Sequence, residues 1–254
     1  MRGAEPHVSF GCVESGNGGH YTQRVRLYVG TSGFAYKEWK GKFYPEKISP
    51  REMLHFYSAR FNAVEINSTF YRMPNRVLLE GWAAQVPEDF VFALKAPRTI
   101  THDKRLTDVE RETEQFLTIT SVLGRKLGPV LFQFPATFRY EFSRLEEFVG
   151  LLSGRRAAFE FRHGAWLNRE TFDLLRSRGC VFCITDREQG TTPDMIWKAG
   201  WGYLRLRQTY YCDLDLSAWR SKIASQEWES AYVFFKHEPE ALGPKMSASF
   251  RQMR

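Results

Sequence analysis

The sequence contains few cysteines and no long apolar run. Its four cysteines, at positions 12, 180, 183 and 212, are too few and too irregularly spaced for a disulfide framework in a chain of 254 residues. No stretch approaches the roughly 20 apolar residues that a membrane span needs. The patterns HxH and HExxH are also missing, so the sequence carries no specific metal motif. These absences exclude a disulfide-stapled module and a helical membrane protein.

One pair of cysteines has a CxxC spacing. Cys180 and Cys183 lie in the apolar run CVFCI, where residues three apart in a strand point to opposite faces. We therefore expect both thiols to be reduced and buried by packing, without a redox or zinc role.

The first 24 residues contain Gly16, Gly18 and Gly19 and lack the apolar core of a signal peptide. We expect residues 1–24 to form a flexible tail, residues 25–254 to form one folded domain, and the protein to be cytoplasmic. The formal charge of +7 leaves small anions or nucleic acid as partners, although dispersed arginines on solvated helices explain the same balance.

From Arg26 onward, short apolar runs alternate with segments of helical period, which is the signal of repeated βα units. Eight runs predict strands: Leu27–Val29, Ala63–Ile66, Val91–Leu94, Val130–Phe132, Ala157–Phe161, Val181–Ile184, Tyr203–Leu206 and Tyr232–Phe235. The clearest helical candidates are Pro50–Phe61, Val109–Leu123, Phe142–Leu152, Arg169–Arg178 and Leu216–Ser225.

Eight apolar runs favour a closed α/β barrel, a single (β/α)₈ TIM-type domain, and the chain length suits that fold. The connection after Asp186 contains Gly190, Pro193 and Gly200, which predicts a short or irregular helix there. A doubly wound open sheet is the alternative. It usually carries a glycine-rich phosphate turn after its first strand, and Gly30 and Gly33 lack that full fingerprint.

Polar side chains recur where each predicted strand ends, and in a barrel these ends face one common mouth. Charges among apolar runs are costly to desolvate unless they are paired or face a ligand cavity. A purely structural layer of ion pairs and an active site both explain them. We assign acid or base roles to Glu65, Glu160, Asp186 and His102. Substrate-binding roles go to Asn67, Lys95, Gln133, Arg162, His163, Arg205, Lys236, Trp166 and Tyr71.

Three chemistries fit such a ring. Paired carboxylates suit glycoside hydrolysis, but that depends on a separation no sequence provides. A divalent metal held by Glu65, Glu160 and Asp186 with His102, His163 or His237 is a second option, which the surrounding cations oppose. An anion site made by lysine and arginine side chains, with a carboxylate or imidazole as acid or base, fits the charges best. We therefore expect a small anionic ligand and no cofactor or metal.

Several ordered motifs resemble a known family. They are GTSGFAYKEWKGKFYP at 30–45, VEINSTFYRMP at 64–74, FALKAPRTITH at 92–102, LGPVLFQFP at 127–135, FEFRHGAW at 159–166, TD ending at 186, YLRLR at 203–207 and VFFKHE at 233–238. Together they resemble the YecE-like family, also called domain of unknown function 72, over about residues 27–250. The resemblance implies a TIM-type barrel and places the matching polar residues in its motifs, but it implies no particular reaction.

The sequence thus predicts an enzyme, a hydrolase, lyase or isomerase, that acts on a small anionic compound carrying a phosphate or sugar. The alternative is a nucleic-acid-associated protein that binds phosphates with a basic mouth or flank and stacks bases on aromatic rings. Nothing in the sequence predicts an oligomeric state.

Overall fold

The computed structural model describes residues 25–186, 196, 198–236 and 239–253. The predicted tail at 1–24, most of the connection after Asp186 with its predicted irregular helix, and His237 and Glu238 lie outside the described residues.

Eight strands alternate with helices along the described chain. The strands are β1 (Arg26–Thr31), β2 (Ala63–Ile66), β3 (Val91–Lys95), β4 (Leu127–Gln133), β5 (Ala157–Glu160), β6 (Val181–Thr185), β7 (Gly202–Leu206) and β8 (Ser230–Phe235). The α-helices are α1 (Met53–Ser58), α2 (Ser68–Tyr71), α3 (Arg76–Ala83), α4 (Glu110–Thr120), α5 (Phe142–Gly150), α6 (Arg169–Ser177), α7 (Asp213–Ala224) and α8 (Leu242–Gln252).

All eight predicted strands are present, and the predicted α/β barrel is confirmed. The helices α2, α3 and α8 were not among the predicted candidates, and α1 is shorter than its predicted range. Side-chain caps define some helix starts: Asn75 accepts a hydrogen bond from the Leu78 amide at 2.8 Å, and Asn168 accepts one from the Thr171 amide at 2.9 Å. An asparagine at this position satisfies an amide that the first helical turn leaves without a partner.

Every strand pair is parallel, in the order β1-β8-β7-β6-β5-β4-β3-β2. The barrel closes between β1 and β2 through a single bridge from Ser32 to Glu65. The side chain of Asn62 supplements it by bonding the Val29 amide at 2.9 Å and the Leu27 carbonyl at 2.8 Å. At this seam, where β1 meets β2, a side-chain amide thus makes hydrogen bonds that a neighbouring strand's backbone would otherwise make.

Gly30 is required at that seam. A Cβ atom at Gly30 would lie 1.9 Å from the carbonyl oxygen of Ala63 and 2.7 Å from the hydroxyl of Tyr57. The Tyr57 hydroxyl itself receives a bond from the Thr31 amide at 2.8 Å. The close approach of β1 to β2 therefore depends on the absence of a side chain.

The apolar residues form two clusters on the two faces of the sheet. Residues such as Val64, Phe92 and Leu204 pack outward beneath the helices, whereas their neighbours Ala63, Ala93 and Tyr203 pack inside the barrel. Cys180 belongs to the outer cluster and Cys183 to the inner one. Both thiols are free and buried, as predicted, and burial raises the pKa of Cys180 to about 12.

None of the helices in the described part of the chain is long and apolar enough to cross a membrane.

Candidate functional site at the carboxyl ends of the strands

Strand alternation places five polar side chains in one layer inside the barrel. Each lies two residues beyond an inward-facing apolar residue, as Glu65 follows Ala63 and Arg205 follows Tyr203. Since successive residues of a strand point to opposite faces, residues two apart share the inner face. The layer consists of Glu65, Lys95, Gln133, Glu160 and Arg205, and all five side chains are buried.

Arg205 is the centre of this layer. Its Nη2 donates to Glu65 Oε1 at 2.8 Å, and its Nη1 donates to Glu160 Oε2 at 2.5 Å. Tyr203 adds a hydrogen bond from its hydroxyl to Glu65 Oε2 at 2.7 Å. One guanidinium therefore joins carboxylates from opposite sides of the barrel, which is the geometry for which arginine is better suited than lysine.

A second series of hydrogen bonds runs through the side chain of Gln133. The Lys95 ammonium donates to Gln133 Oε1 at 2.6 Å, and Gln133 Nε2 donates to Glu160 Oε1 at 2.6 Å. Lys95 Nζ also lies 3.8 Å from the ring centroid of Phe70, a cation–π contact. The amide of Gln133 thus links the lysine to the carboxylate without direct contact between the charges.

Both carboxylates of the layer stay ionised. Burial alone would raise the pKa of Glu160, but the charges of Arg205 and Arg207 and the hydrogen bonds outweigh it and lower this pKa to about 2. The same balance holds the pKa of Glu65 below its ordinary value. Carboxylates so held are weak bases and do not carry a proton near neutral pH.

Lys95 behaves in the opposite way. Burial, and next the positive charge of Arg205, lower the pKa of Lys95 to about 8, although Glu65 and Glu160 oppose the shift. An amine with this pKa exists partly in its neutral, basic form near neutral pH.

His102 lies beside the layer, in the short helical segment Thr99–Asp103 that follows β3. Burial and the charges of Lys95 and Arg162 lower the pKa of His102 to about 4. Its Nδ1 lies 2.9 Å from the hydroxyl of Thr101, and its ring packs edge-on against Phe70. A neutral imidazole here provides hydrogen bonds to a ligand without adding charge.

Asp186 follows β6 and belongs to a separate group. Its carboxylate accepts hydrogen bonds from the Arg207 amide at 2.7 Å and from the hydroxyl of Tyr211. Burial outweighs these contacts and raises the pKa of Asp186 above its ordinary value. Of the three carboxyl groups predicted to act as acid or base, Asp186 is the one whose pKa is raised, whereas those of Glu65 and Glu160 are lowered.

A rim of more exposed polar residues surrounds the buried layer. Asn67 donates to Glu65 Oε1 at 3.3 Å, and Arg162 Nε lies 3.8 Å from Glu160 Oε1. Arg207 and Lys236 follow β7 and β8 and are both partly exposed. The fold therefore places the predicted site residues, which follow seven different strands, at the same end of the barrel.

Two aromatic predictions have different outcomes. Trp166 is fully buried, its indole N–H donates to the Phe138 carbonyl at 2.9 Å, and its ring stacks on Phe161. The predicted substrate contact of Trp166 is thus corrected, because the ring packs the loop after β5 onto the core and is not accessible. Tyr71 is 79% exposed and remains accessible at the rim.

His163 contacts the backbone locally. Strand β5 ends at Glu160, so alternation no longer sets the direction of this side chain. Its Nδ1 accepts a hydrogen bond from the Ala165 amide at 3.3 Å and caps the short turn Gly164–Trp166. Substrate binding by His163 stays a prediction.

The assignment made from the sequence left out several residues that belong to the site. Tyr203 shares the inner face with Arg205, and its position two residues earlier in YLRLR was the available signal. The hydroxyls of Ser32 and Thr185 are buried without a hydrogen-bond partner among the described residues. Register pairs Ser32 with Glu65 and Thr185 with Arg205, so both hydroxyls border the charged layer.

The described residues contain no group of three histidine, cysteine, aspartate or glutamate side chains placed to hold a metal ion. Arg205 already neutralises Glu65 and Glu160, which were the central ligands of the metal hypothesis. His237, a further ligand of that hypothesis, lies outside the described residues.

Two known proteins are similar in sequence to this chain. The chain is 23% identical over 232 residues to the UPF0759 protein YunF of Bacillus subtilis (strain 168), which covers 85% of this chain and 80% of YunF. It is 34% identical over 120 residues to the UPF0759 protein YecE of Escherichia coli (strain K12), which covers 47% of this chain and 42% of YecE.

Solved structures of two similar proteins have the same fold. A DUF72 family protein from Thermotoga maritima MSB8 superposes with a TM-score of 0.73 at 27% identity, covering 90% of this chain and 98% of that one. One from Enterococcus faecalis V583 has a TM-score of 0.75 at 17% identity, covering 89% and 94%, and supports the fold alone. A family model described as "Protein of unknown function DUF72" matches residues 28–254. The chain, a TIM-like α/β barrel with a charged layer at the carboxyl ends of its strands, therefore belongs to the DUF72 family.

Proposed function

We propose that this protein is an enzyme that binds a small anionic compound at the carboxyl mouth of the barrel and moves a proton on it. The observation that carries the proposal is the buried amine of Lys95. It lies within a layer of ionised side chains and has a pKa of about 8. Titratable groups poised near neutral pH inside a ring of charges are typical of catalytic sites.

Cations at the rim support the choice of an anionic ligand. Arg162, Arg207 and Lys236 come from the ends of three strands and are at least partly exposed. Within the buried layer Arg205 holds two carboxylates, and Arg162 reaches this layer from the rim, with its Nε 3.8 Å from Glu160 Oε1. Guanidinium groups suit phosphate and carboxylate oxygens because they donate two parallel hydrogen bonds. The buried hydroxyls of Ser32 and Thr185 offer further polar contacts to such a ligand.

The proposal assigns different roles to the carboxylates. Glu65 and Glu160 orient Arg205 and Gln133, since each is ionised and hydrogen-bonded in the buried layer. Lys95 accepts a proton as the neutral amine, and we assign the acid role to Asp186, the carboxyl of the three whose pKa is raised rather than lowered. Hydrolysis, elimination and isomerisation all use one base and one acid, so the site suits a hydrolase, a lyase or an isomerase.

The first test identifies the ligand and then follows a proton. Native mass spectrometry of the purified protein detects retained small molecules, and thermal-shift screening covers phosphorylated and carboxylated sugars. With a ligand that stabilises the protein, proton NMR in D₂O follows exchange of its carbon-bound hydrogens, which reports elimination or isomerisation, and its cleavage, which reports hydrolysis. We expect Lys95→Met to abolish exchange while binding remains, and Arg162→Gln to weaken binding about tenfold.

A matched control is Lys47→Met, which removes an exposed lysine that is not among the residues assigned to the site. We expect this variant to exchange and bind like the wild type. Because Lys95 acts as the neutral amine, the wild-type rate rises with pH up to about 8. Unchanged exchange in Lys95→Met, or the absence of any stabilising anion, would contradict the proposal.

Exposed aromatic rings at the same rim favour a second candidate function, the binding of single-stranded nucleic acid. Tyr71 is 79% exposed after β2, and Tyr210 is 68% exposed after β7. Exposed rings beside cations stack bases while the cations contact phosphates. Fluorescence anisotropy with a labelled oligonucleotide should show affinity that falls steeply with salt and falls again in Tyr71→Ala. No binding at low salt would reject this candidate.

A further inference from the structure

A recess lies on the outer flank of the barrel, away from the mouth. It is bounded by the loop after β1, by the carboxyl end of α1 and by one face of α8, and it has a volume of about 540 Å³. That volume is in the range of sites for drug-sized ligands. The residues lining it are Lys42, Phe43, Arg60, Phe61, Ala241, Pro244, Lys245, Ala248, Arg251 and Gln252.

The charged residues that line the recess are all cations. Lys42, Arg60, Lys245 and Arg251 come from three separate segments, and none of the described lining residues is acidic. Glu240 lies beside the recess and forms an ion pair with Lys42. The lining itself therefore carries a local excess of positive charge. Such a surface attracts anions.

Two of these cations are held in place before any ligand binds. The Arg60 guanidinium lies 3.4 Å from the ring centroid of Phe56, and its Nη1 donates to the Phe56 carbonyl at 2.9 Å. Arg251 Nη1 donates in turn to the Arg60 carbonyl. Side chains already fixed by the fold lose less conformational entropy when they bind a ligand.

The floor of the recess is apolar. Phe43 packs against Phe56 and Phe61 with ring centroids 5.6 and 5.8 Å apart, which makes this wall rigid. Pro244 and Ala248, one helical turn apart on α8, supply the opposite wall. The small side chain of Ala248 leaves room that a larger residue would fill. An apolar floor beneath a ring of cations matches a molecule with one apolar end and one charged end.

We propose that this recess binds a small amphipathic organic anion. Its carboxylate or phosphate contacts the four cations, and its alkyl chain or aromatic ring lies against Phe43, Phe61 and Pro244. The ligand is a single free molecule, because the space is a recess between a helix and a loop rather than a flat face. None of the residues assigned to the mouth lines this recess, so the proposal is independent of the proposed enzymatic function.

The test uses isothermal titration calorimetry on the full-length chain with four probes: decanoate, decyl phosphate, inorganic phosphate and decan-1-ol. We expect one or both amphipathic anions to bind saturably, and the other two probes to bind at least about tenfold more weakly. Lys245→Glu should weaken the anion about tenfold or more, because it reverses one exposed charge of the ring. Ala248→Trp should abolish binding because its indole ring would occupy the recess from the α8 wall.

Arg111→Glu is the matched control, since it reverses an exposed cation on α4, which does not line the recess. We expect wild-type affinity in this variant. Equal binding of inorganic phosphate, equal binding of decan-1-ol, or an equal loss in Arg111→Glu would each overturn the proposal. The proposal would also be overturned if the protein bound neither decanoate nor decyl phosphate but co-floated with anionic vesicles. Far-UV circular dichroism checks that the variants are folded, and if Ala248→Trp is not, Lys245→Glu alone decides.

Discussion

Replacing Lys95 by methionine tests the electrostatics of the mouth directly. Burial and the charge of Arg205 lower the pKa of Lys95 from 10.5 to about 8 in the folded protein. One pKa unit corresponds to about 1.4 kcal/mol, so the folded state disfavours the protonated amine by roughly 3 kcal/mol below about pH 8. In the unfolded chain the amine is in water and carries no such penalty.

The sign of the pH dependence follows from this difference. Between about pH 8 and pH 10.5, Lys95 is neutral in the folded protein and still protonated in the unfolded chain. The unfolded state then binds more protons, so the free energy of unfolding of the wild type rises with pH across this window. Lys95→Met lacks the amine and lacks this rise. We expect the difference between wild type and variant to grow by about 3 kcal/mol from neutral pH to pH 10.5.

At neutral pH two effects of the substitution oppose each other. Methionine removes the penalty of roughly 3 kcal/mol but leaves Gln133 Oε1 without its 2.6 Å hydrogen bond, which costs about 1–3 kcal/mol. The two effects nearly cancel, so we expect the variant and the wild type to have similar stability near pH 7. This outcome separates a strained functional lysine from a structural one, whose removal would be clearly destabilising.

Urea unfolding followed by tryptophan fluorescence measures the free energies at several pH values. Lys47→Met serves as the control, and NMR titration of the lysine amines measures the pKa itself. Groups far from Lys95 titrate equally in wild type and variant, so their contributions cancel in the difference. The pKa of His102 does depend on the charge of Lys95, but this imidazole titrates below the pH range that is compared. A difference that stays within about 1 kcal/mol across the whole range, or that shrinks as pH rises, would refute the electrostatic argument.

Three further predictions concern stability, and urea unfolding at neutral pH measures each. Arg205→Met should destabilise the protein by about 3–5 kcal/mol, because it leaves two buried carboxylates without their cation. Adding Glu65→Gln and Glu160→Gln should recover part of this loss. If the triple variant is no more stable than Arg205→Met, charge is not the cause. Gly30→Ala should cost more than about 2 kcal/mol through its clash with Ala63. Gly81→Ala, which has open space around it, should stabilise the protein by about 0.5–1 kcal/mol. Similar effects of the two substitutions would contradict the claim that the β1–β2 contact requires a glycine at position 30. Lys126→Met should cost about 1–3 kcal/mol, because Lys126 Nζ donates to the carbonyl of Ala83, the last residue of α3, and to that of Val86 just after it. A cost below about 0.5 kcal/mol would contradict this.

The barrel was predictable because its signal is local and repeated. Each strand is a short apolar run followed by a polar residue, and eight such runs suit closure better than an open sheet. The seam between β1 and β2 was not predictable. It depends on Gly30 and on the side chain of Asn62, which act on residues more than thirty positions away.

The location of the candidate site was predictable for the same reason. The motif residues at the strand ends converge because parallel strands of a barrel end at one mouth. Trp166 shows the limit of this logic: it follows a strand end like the others, but its ring turns into the core and bonds the Phe138 carbonyl. Burial of a loop residue depends on contacts between distant segments, which its own sequence position does not reveal.

By itself, then, the sequence determined the parallel barrel and the set of charged residues at its mouth, because apolar runs and the period of a strand are properties of short segments. Only the tertiary structure decided which charges neutralise one another. It joined Glu65 and Glu160 through Arg205, kept Lys95 at a distance from them through Gln133, and left Asp186 in a separate group. The physical reason is that a pKa depends on burial and on charges a few ångströms away, and only folding sets those distances.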